Sequence, residues 1–332
     1  MRLRGLWSLV FLLLPKVAVA ACDGRDLLAE MPADERAQLA ARAEAAPFPR
    51  GNLWRAERDG AILHLAGTFH IGDARLAPLM QRIAPLIADA AVVLVEVTPE
   101  EERRLQAAMA DDPALAFITE GPTLRDRLDD SEWADYAAQM RARGVPPMLA
   151  SRFRPWLAFI TLSVPACLVA PDGTMPPGLD DRVITHARGS GVPVVPLEGM
   201  EVLFEIFDTL TDDEALDILR ATLRQAELSE DVFATLLNAY LDGEHRLAWE
   251  FGRNWIPEAV ADLFPPERLE PLNLRLEEAL LGRRNRAWLP EILDAAGSGP
   301  VFVAVGAAHL SGDDGLLDLL DRAGFRLTRL DF

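Results

Sequence analysis

Lysine is almost absent. Lys16 is the only one in 332 residues, and it lies near the start of the chain. A P-loop needs a lysine, and so do Schiff-base and pyridoxal enzymes and Ser-Lys hydrolases, so all of these are excluded. The G-x-S-x-G elbow, H-E-x-x-H and C-x-x-C are missing too. Positive charge is scarce in general: 33 Lys and Arg stand against 52 Asp and Glu, a formal net charge of −19. That balance argues against nucleic acid as a partner, because phosphates need a positive surface. It argues equally against electrostatic docking to anionic lipid. What is left to carry chemistry is the carboxylates and five histidines, His64, His70, His186, His245 and His309.

Half of the residues are hydrophobic, enough for a sizeable core. Arg2 and Arg4 precede the apolar run Leu6–Leu14, and Ala18-Val19-Ala20 follows in a small-x-small pattern. This predicts a secretory signal peptide over residues 1–20. The run is too short for a membrane span, and an uncleaved anchor is the rival reading. Cleavage after Ala20 would remove Arg2, Arg4 and Lys16 and take the charge from −19 to −22. An exported, periplasmic chain with two cysteines invites a Cys22–Cys167 disulfide. Val19-Ala20-Ala21-Cys22 also resembles a lipobox, which would anchor the protein through a lipid on Cys22.

Two stretches share one design. Residues 61–71 read A-I-L-H-L-A-G-T-F-H-I, and residues 301–310 read V-F-V-A-V-G-A-A-H-L. In each, an apolar strand-like run ends in a glycine, Gly67 or Gly306, and a histidine follows three residues later, His70 or His309. Glycine at a strand end permits a sharp turn or a close approach. A histidine just beyond it sits at the carboxyl edge of the sheet, where open α/β sheets bind ligands.

Along the chain, Leu53–Glu57 and Ala61–Ala66 form a predicted hairpin around Asp59-Gly60. Residues 23–47 and 74–89 read as helical. Residues 91–97 are the most strand-like run and place Glu96 near their end. Residues 191–197 are a further strand candidate ending at Glu198, and their prolines argue for a sheet edge. The spacing predicts helices over Leu241–Trp255, Leu274–Trp288 and 314–323, and a last strand over Arg326–Leu330. The expected architecture is one α/β domain, residues 21–332, with helical insertions at about 99–165 and 200–290 on the side of the glycine-histidine turns.

His70, Glu96, Glu198 and His309 thus all end strand candidates. Two imidazoles with one or two carboxylates are a common catalytic metal set. The metal would activate water and polarise a carbonyl, and the spare carboxylate would be the general base. The bland readings are a buried structural acid for Glu96 and a helix cap for Glu198. Arg284 and Asn285 would reach in to hold an oxyanion or a substrate carboxylate, or form a solvated helix face. Arg152, Arg154 and Trp156 would form a similar lip, or simply a packed surface. His64 reads as a core residue or one that holds a ligand in place. His186 and His245 read as surface residues.

L-A-G-T-F-H-I-G, V-L-V-E-V, G-L-D-x-R, V-x-L-E-G-x-E, R-N-R-A-W and V-A-V-G-A-A-H-L-S-G-D-D-G-L occur in this order over about residues 50–330. Together they resemble the TraB/PrgY/GumN family, in particular its exported bacterial branch. The resemblance implies a fold of the Tiki, erythromycin-esterase and ChaN type: a mixed central sheet with helices around it. Tiki proteins are metal-dependent peptidases. The resemblance makes His70, His309 and Glu96 active-site residues, Gly67 and Gly306 motif glycines, and Asp180, Glu198, Arg284 and Asn285 further family positions. The segment Gly199-Met200-Glu201 departs from many relatives. The implied activity is a metal-dependent hydrolase of the cell envelope, most naturally a peptidase, using a divalent ion such as manganese, zinc, cobalt or iron on a peptide or small-molecule substrate. The alternatives are a non-catalytic protein that sequesters a peptide or a small ligand such as haem, and an accessory factor in polysaccharide synthesis or export.

Overall fold

The structure, a computed structural model, describes residues 22–170, 172–199, 201–255 and 260–332. The expected signal peptide, Pro171 and Met200 lie outside the described residues. The protein is α/β. Its six strands are β1 (Leu53–Arg58), β2 (Ala61–Thr68), β3 (Val92–Val95), β4 (Val194–Pro196), β5 (Val301–Gly306) and β6 (Arg326–Arg329). They form one sheet in the order β4-β3-β5-β2-β1-β6. The sheet is mixed. Strand β5 pairs parallel with β2 and β3, β3 pairs parallel with β4, and β1 runs antiparallel to both β2 and β6.

Local chemistry explains most of these pairings. Asp59 and Gly60 both have positive φ, 51° and 87°, the conformation a tight two-residue hairpin needs. Strand β5 is an unbroken apolar run, and every residue in it is buried, as expected for a central parallel strand. Strand β4 is at the sheet edge, where the missing N–H of Pro196 is tolerated.

Side chains alternate between two packed layers. Ala66, Val93, Val95, Phe302 and Ala304 face helices Ala77–Ala88, Leu179–Gly189 and Ser229–Leu241. Leu63, Leu65, Leu94, Val301, Val303 and Val305 face helices Arg283–Ala296 and Leu316–Arg322. The helices of the first insertion share a separate core with helix Asp212–Arg224 of the second, through Tyr136, Met140, Leu162 and Leu219.

Several boundaries differ from the sequence reading. Residues 23–47 form two helices, Leu27–Glu30 and Ala33–Ala45, separated at Pro32. The strand expected over 191–197 shrinks to three residues between Pro193 and Leu197. The helix expected from Leu241 begins at His245, because Gly243 turns the chain at φ 73°. The helix expected over Leu274–Trp288 runs from Pro266 to Ala296 with a π-turn, Glu278–Gly282, set into it. A π-turn adds one residue to a helical turn and rotates everything after it.

Candidate active site at the carboxyl edge of the sheet

Strands β2, β3, β4 and β5 all end at one edge, and there His70, Glu96, Glu198 and His309 come together. The parallel register places Thr68 opposite Gly306, so both histidine turns leave the sheet side by side. The reason for each glycine is different. A Cβ on Gly306 would lie 2.8 Å from His70 Nε2 and 3.1 Å from Glu96 Oε1, whereas one on Gly67 would strike Leu310 and the backbone of Ala307.

The second insertion supports the first turn. Tyr240 donates its hydroxyl to the carbonyl of Gly67 (2.8 Å), and the N–H of Gly67 donates to Asn52 O (2.7 Å). The Asn52 side chain donates to Tyr240 O and meets His245 Nδ1 at 3.0 Å. His245 is therefore a buried residue, 3% exposed, and not the surface residue that its charged neighbours suggest. His186 is partly exposed at the end of its helix. His64 is half-buried in β2, opposite Arg55 and Phe302. The His70 turn is closed by Pro176–Asp180: Gly72 donates to Pro176 O and Leu179 donates to Phe69 O. This brings Asp180 Oδ1 to 3.3 Å from His70 Nδ1.

Glu96 is the hub. Its Oε1 accepts from the N–H of Gly306 (2.5 Å) and lies 3.8 Å from Nε2 of both His70 and His309. Its Oε2 accepts from Arg284 Nη2 (2.7 Å). Arg284 Nη1 donates to Leu280 O (2.9 Å) and faces His309 Nε2 at 3.1 Å. Arg284 Nε donates to both oxygens of Glu198, and Nη2 donates to Glu198 as well. Asn285 Oδ1 accepts a hydrogen bond from Nδ1–H of His309 (2.7 Å), and its amide nitrogen donates to the carbonyls of His309 and Asp314. These bonds fix both the amide orientation and the imidazole tautomer. The π-turn directly before Arg283 sets the angle at which Arg284 and Asn285 enter the site.

Trp288 is the residue that sequence reasoning missed. It is nearly fully buried, donates Nε1–H to Glu198 Oε2 (3.0 Å), lies under the Arg284 guanidinium at 4.8 Å and packs on the His309 ring at 4.5 Å. The only sequence signal was its place in R-N-R-A-W, one helical turn after Arg284. By contrast, Arg152 bonds to Ile118 O, and Trp156 stacks on Phe207. Arg154, Trp156, Phe204 and Phe207 line a separate cleft of about 640 Å³, which none of the residues around Glu96 borders.

The electrostatics divide the groups. Burial pushes the Glu96 carboxyl up, but His309, His70, Arg284 and the Gly306 N–H outweigh it and hold it down at about 2. Burial raises Glu198, and the neighbouring charge of Glu96 adds to this against the opposing pull of Arg284. His309 is pushed down to about 3 by burial, so it is neutral at pH 7. Burial also pushes His70 down, yet the Asp180 carboxylate 3.3 Å from its Nδ1 and the charge of Glu96 raise it to about 9. Water on its open side, 59% of the side-chain surface, screens part of that attraction.

The donor types suit a divalent metal. Both imidazoles have Nδ1 facing an oxygen acceptor, which leaves Nε2 toward the site, as metal-ligating histidines require. The spacing does not yet enclose an ion. Among the described residues only Cys22, Cys167 and Glu230 bring three such donor atoms within 4.8 Å of one another. Those cysteines are joined in a disulfide and offer no thiolate. Around Glu96 the Arg284 guanidinium bridges two of the donor groups.

A mixed α/β sheet thus brings the paired G-x-x-H turns and a strand-end glutamate to one edge. The chain belongs to the TraB/PrgY/gumN family, whose model matches residues 52–329. It is similar to the uncharacterized protein YbaP of Escherichia coli (strain K12), 24% identical over 258 residues, or 77% of this chain and 87% of YbaP. YbaP of Shigella flexneri matches over the same extent at 24% identity.

Proposed function

We propose that the protein is a metal-dependent hydrolase of the bacterial cell envelope, acting on peptide bonds. One observation carries the reading: two imidazoles, delivered by neighbouring parallel strands, present Nε2 at 3.8 Å from the same Glu96 oxygen. His70, Glu96 and His309 would hold the ion. When bound, it would polarise a carbonyl and acidify a water. Asn285 keeps the Nε2 of His309 unprotonated, and Asp180 faces Nδ1 of His70. The Glu96 carboxyl is held down and that of Glu198 is raised, which supports Glu198 as the group that takes up and returns a proton. Arg284 binds a substrate oxyanion or carboxylate. The Cys22–Cys167 disulfide supports an oxidising compartment, and among the described residues no helix is long and apolar enough to cross a membrane.

Metal analysis of the purified protein beside a His70→Ala/His309→Ala variant tests the reading, together with digestion of a peptide library. Stoichiometric metal and cleavage in the parent, both lost in the variant, are expected. Equal metal content, or equal cleavage, in the two proteins refutes it. A second reading, a binding protein that sequesters a peptide or small ligand without turnover, is favoured by the built-in Arg284 cation, which offers an anion partner with no metal present. Ligand capture without cleavage would select it.

A further inference from the structure

We infer that Arg284 is the resident counter-cation of this site, and that a divalent ion held by His70, Glu96 and His309 must displace its guanidinium from two of those three groups. The inference rests on the metal reading above and adds a mode of loading to it.

The bonds leave little choice. His309 donates its Nδ1–H to Asn285 Oδ1, so Nε2 is the atom with the free lone pair, and Arg284 Nη1 is the donor facing it at 3.1 Å. Glu96 Oε2 is taken by Nη2 of the same guanidinium at 2.7 Å. An arginine is charged at every working pH, so it competes with a dication both for these lone pairs and by repulsion. Nor is it loosely held: only 12% of its side chain is exposed.

A second dock is already built. Arg284 Nε donates to both Glu198 oxygens, Nη1 donates to Leu280 O within the π-turn, and the Trp288 ring lies under the guanidinium at 4.8 Å. None of these contacts involves His309 or Glu96. The guanidinium can therefore release the two metal-binding groups by a small rotation about its Nε end and stay paired with Glu198. Loading the ion and turning Arg284 toward a bound substrate become one event, and Glu198 and Trp288 are the positioning residues that make the exchange local.

The test is calorimetric titration of the purified protein with Mn²⁺ alone and with Zn²⁺ alone, beside Arg284→Met and Arg284→Lys. Arg284→Met keeps an unbranched chain but removes the charge and all donors. It is expected to bind either ion at least about tenfold more tightly than the parent, which is about 1.4 kcal/mol. Arg284→Lys keeps the charge and is expected to fall closer to the parent. A folded Arg284→Met that binds no more tightly than a parent that does bind metal overturns the inference and leaves the metal reading intact. Absence of binding in parent and variants alike overturns both. A second readout needs no variant protein to be well folded: in the parent, one slowly exchanging arginine side-chain NMR signal should shift on addition of Zn²⁺. An unchanged arginine spectrum in the zinc-loaded parent also overturns the inference.

Discussion

The two motif glycines make a paired prediction, because an added methyl meets a different obstacle at each. Gly306 has φ −51° and ψ 136°, angles open to any residue, so Gly306→Ala brings no backbone strain. Its new Cβ would lie 2.8 Å from His70 Nε2 and 3.1 Å from Glu96 Oε1. The imidazole is the end of a flexible side chain with 59% of its surface exposed, so it can swing outward. Glu96 is tied by Gly306 and Arg284 and stays. The expected loss of stability is about 1 kcal/mol, at the low end of overpacking costs. The His70 imidazole, however, leaves Glu96 and loses part of the attraction that raises it, so its pKa falls from about 9 toward 6.5. Gly67→Ala is the opposite case. Its Cβ would meet the Ala307 backbone at Cα (2.9 Å) and the fully buried Leu310 side chain at Cδ1 (2.8 Å), neither of which can step aside into solvent, and the cost rises to about 3 kcal/mol. Urea unfolding with a common m-value measures both stabilities, and an NMR titration of the His70 ring follows the pKa. Equal destabilisation by the two variants, or an unmoved His70 titration in Gly306→Ala, would refute the argument.

Two further predictions concern stability. His245 is buried and neutral, pushed down to about 4 by burial, against about 6.5 in an unfolded chain. The unfolded state therefore binds the extra proton first. Stability is complete above about pH 6.5, falls as pH drops toward 4, and levels off below that, for a total of about 3 kcal/mol; His245→Gln should flatten this part of the stability–pH curve, and parallel curves for parent and variant would count against it. The Cys22–Cys167 bridge closes a separation of 145 residues, which chain entropy values at roughly 5 kcal/mol; reduction should lower the urea midpoint accordingly, and a shift worth under about 1 kcal/mol would contradict this.

The sequence was most readable where chemistry is local. Asp59-Gly60 announces its hairpin because few residue pairs accept positive φ twice. The run Val301–Val305 announces a central strand, because only full burial suits such an apolar stretch. The convergence of His70 and His309 could be expected because strand, glycine and histidine recur at the same spacing, and parallel neighbours share an edge. What stayed hidden depends on contacts between distant segments. His245 sits among charged residues in sequence, yet its partner is Asn52, 193 positions away. The π-turn leaves no trace in helical periodicity, since one extra residue shifts the phase without disturbing composition. Trp288 and Arg284 read as members of a helix face. Their role comes from Glu198, which reaches them from the end of edge strand β4. The departing segment Gly199–Glu201 adjoins that glutamate, and its Met200 lies outside the described residues.

The order of the strands also sets an order in time. Strand β5 lies between β2 and β3, and these two have no other route to one another within the sheet. During synthesis the β1–β2 hairpin and the β3–β4 pair can each form early. They remain two separate half-sheets until residues 301–306 arrive, when over nine-tenths of the chain has already been made. Pairings this distant in sequence form slowly. Glu96 then gains the Gly306 N–H, and His309 takes its place beside it, in the same step that closes the sheet. A chain that stops short of β5 thus carries His70 on one half-sheet and Glu96 and Glu198 on the other, with no strand between them. The cluster around Glu96 is complete only once β5 has joined the two half-sheets.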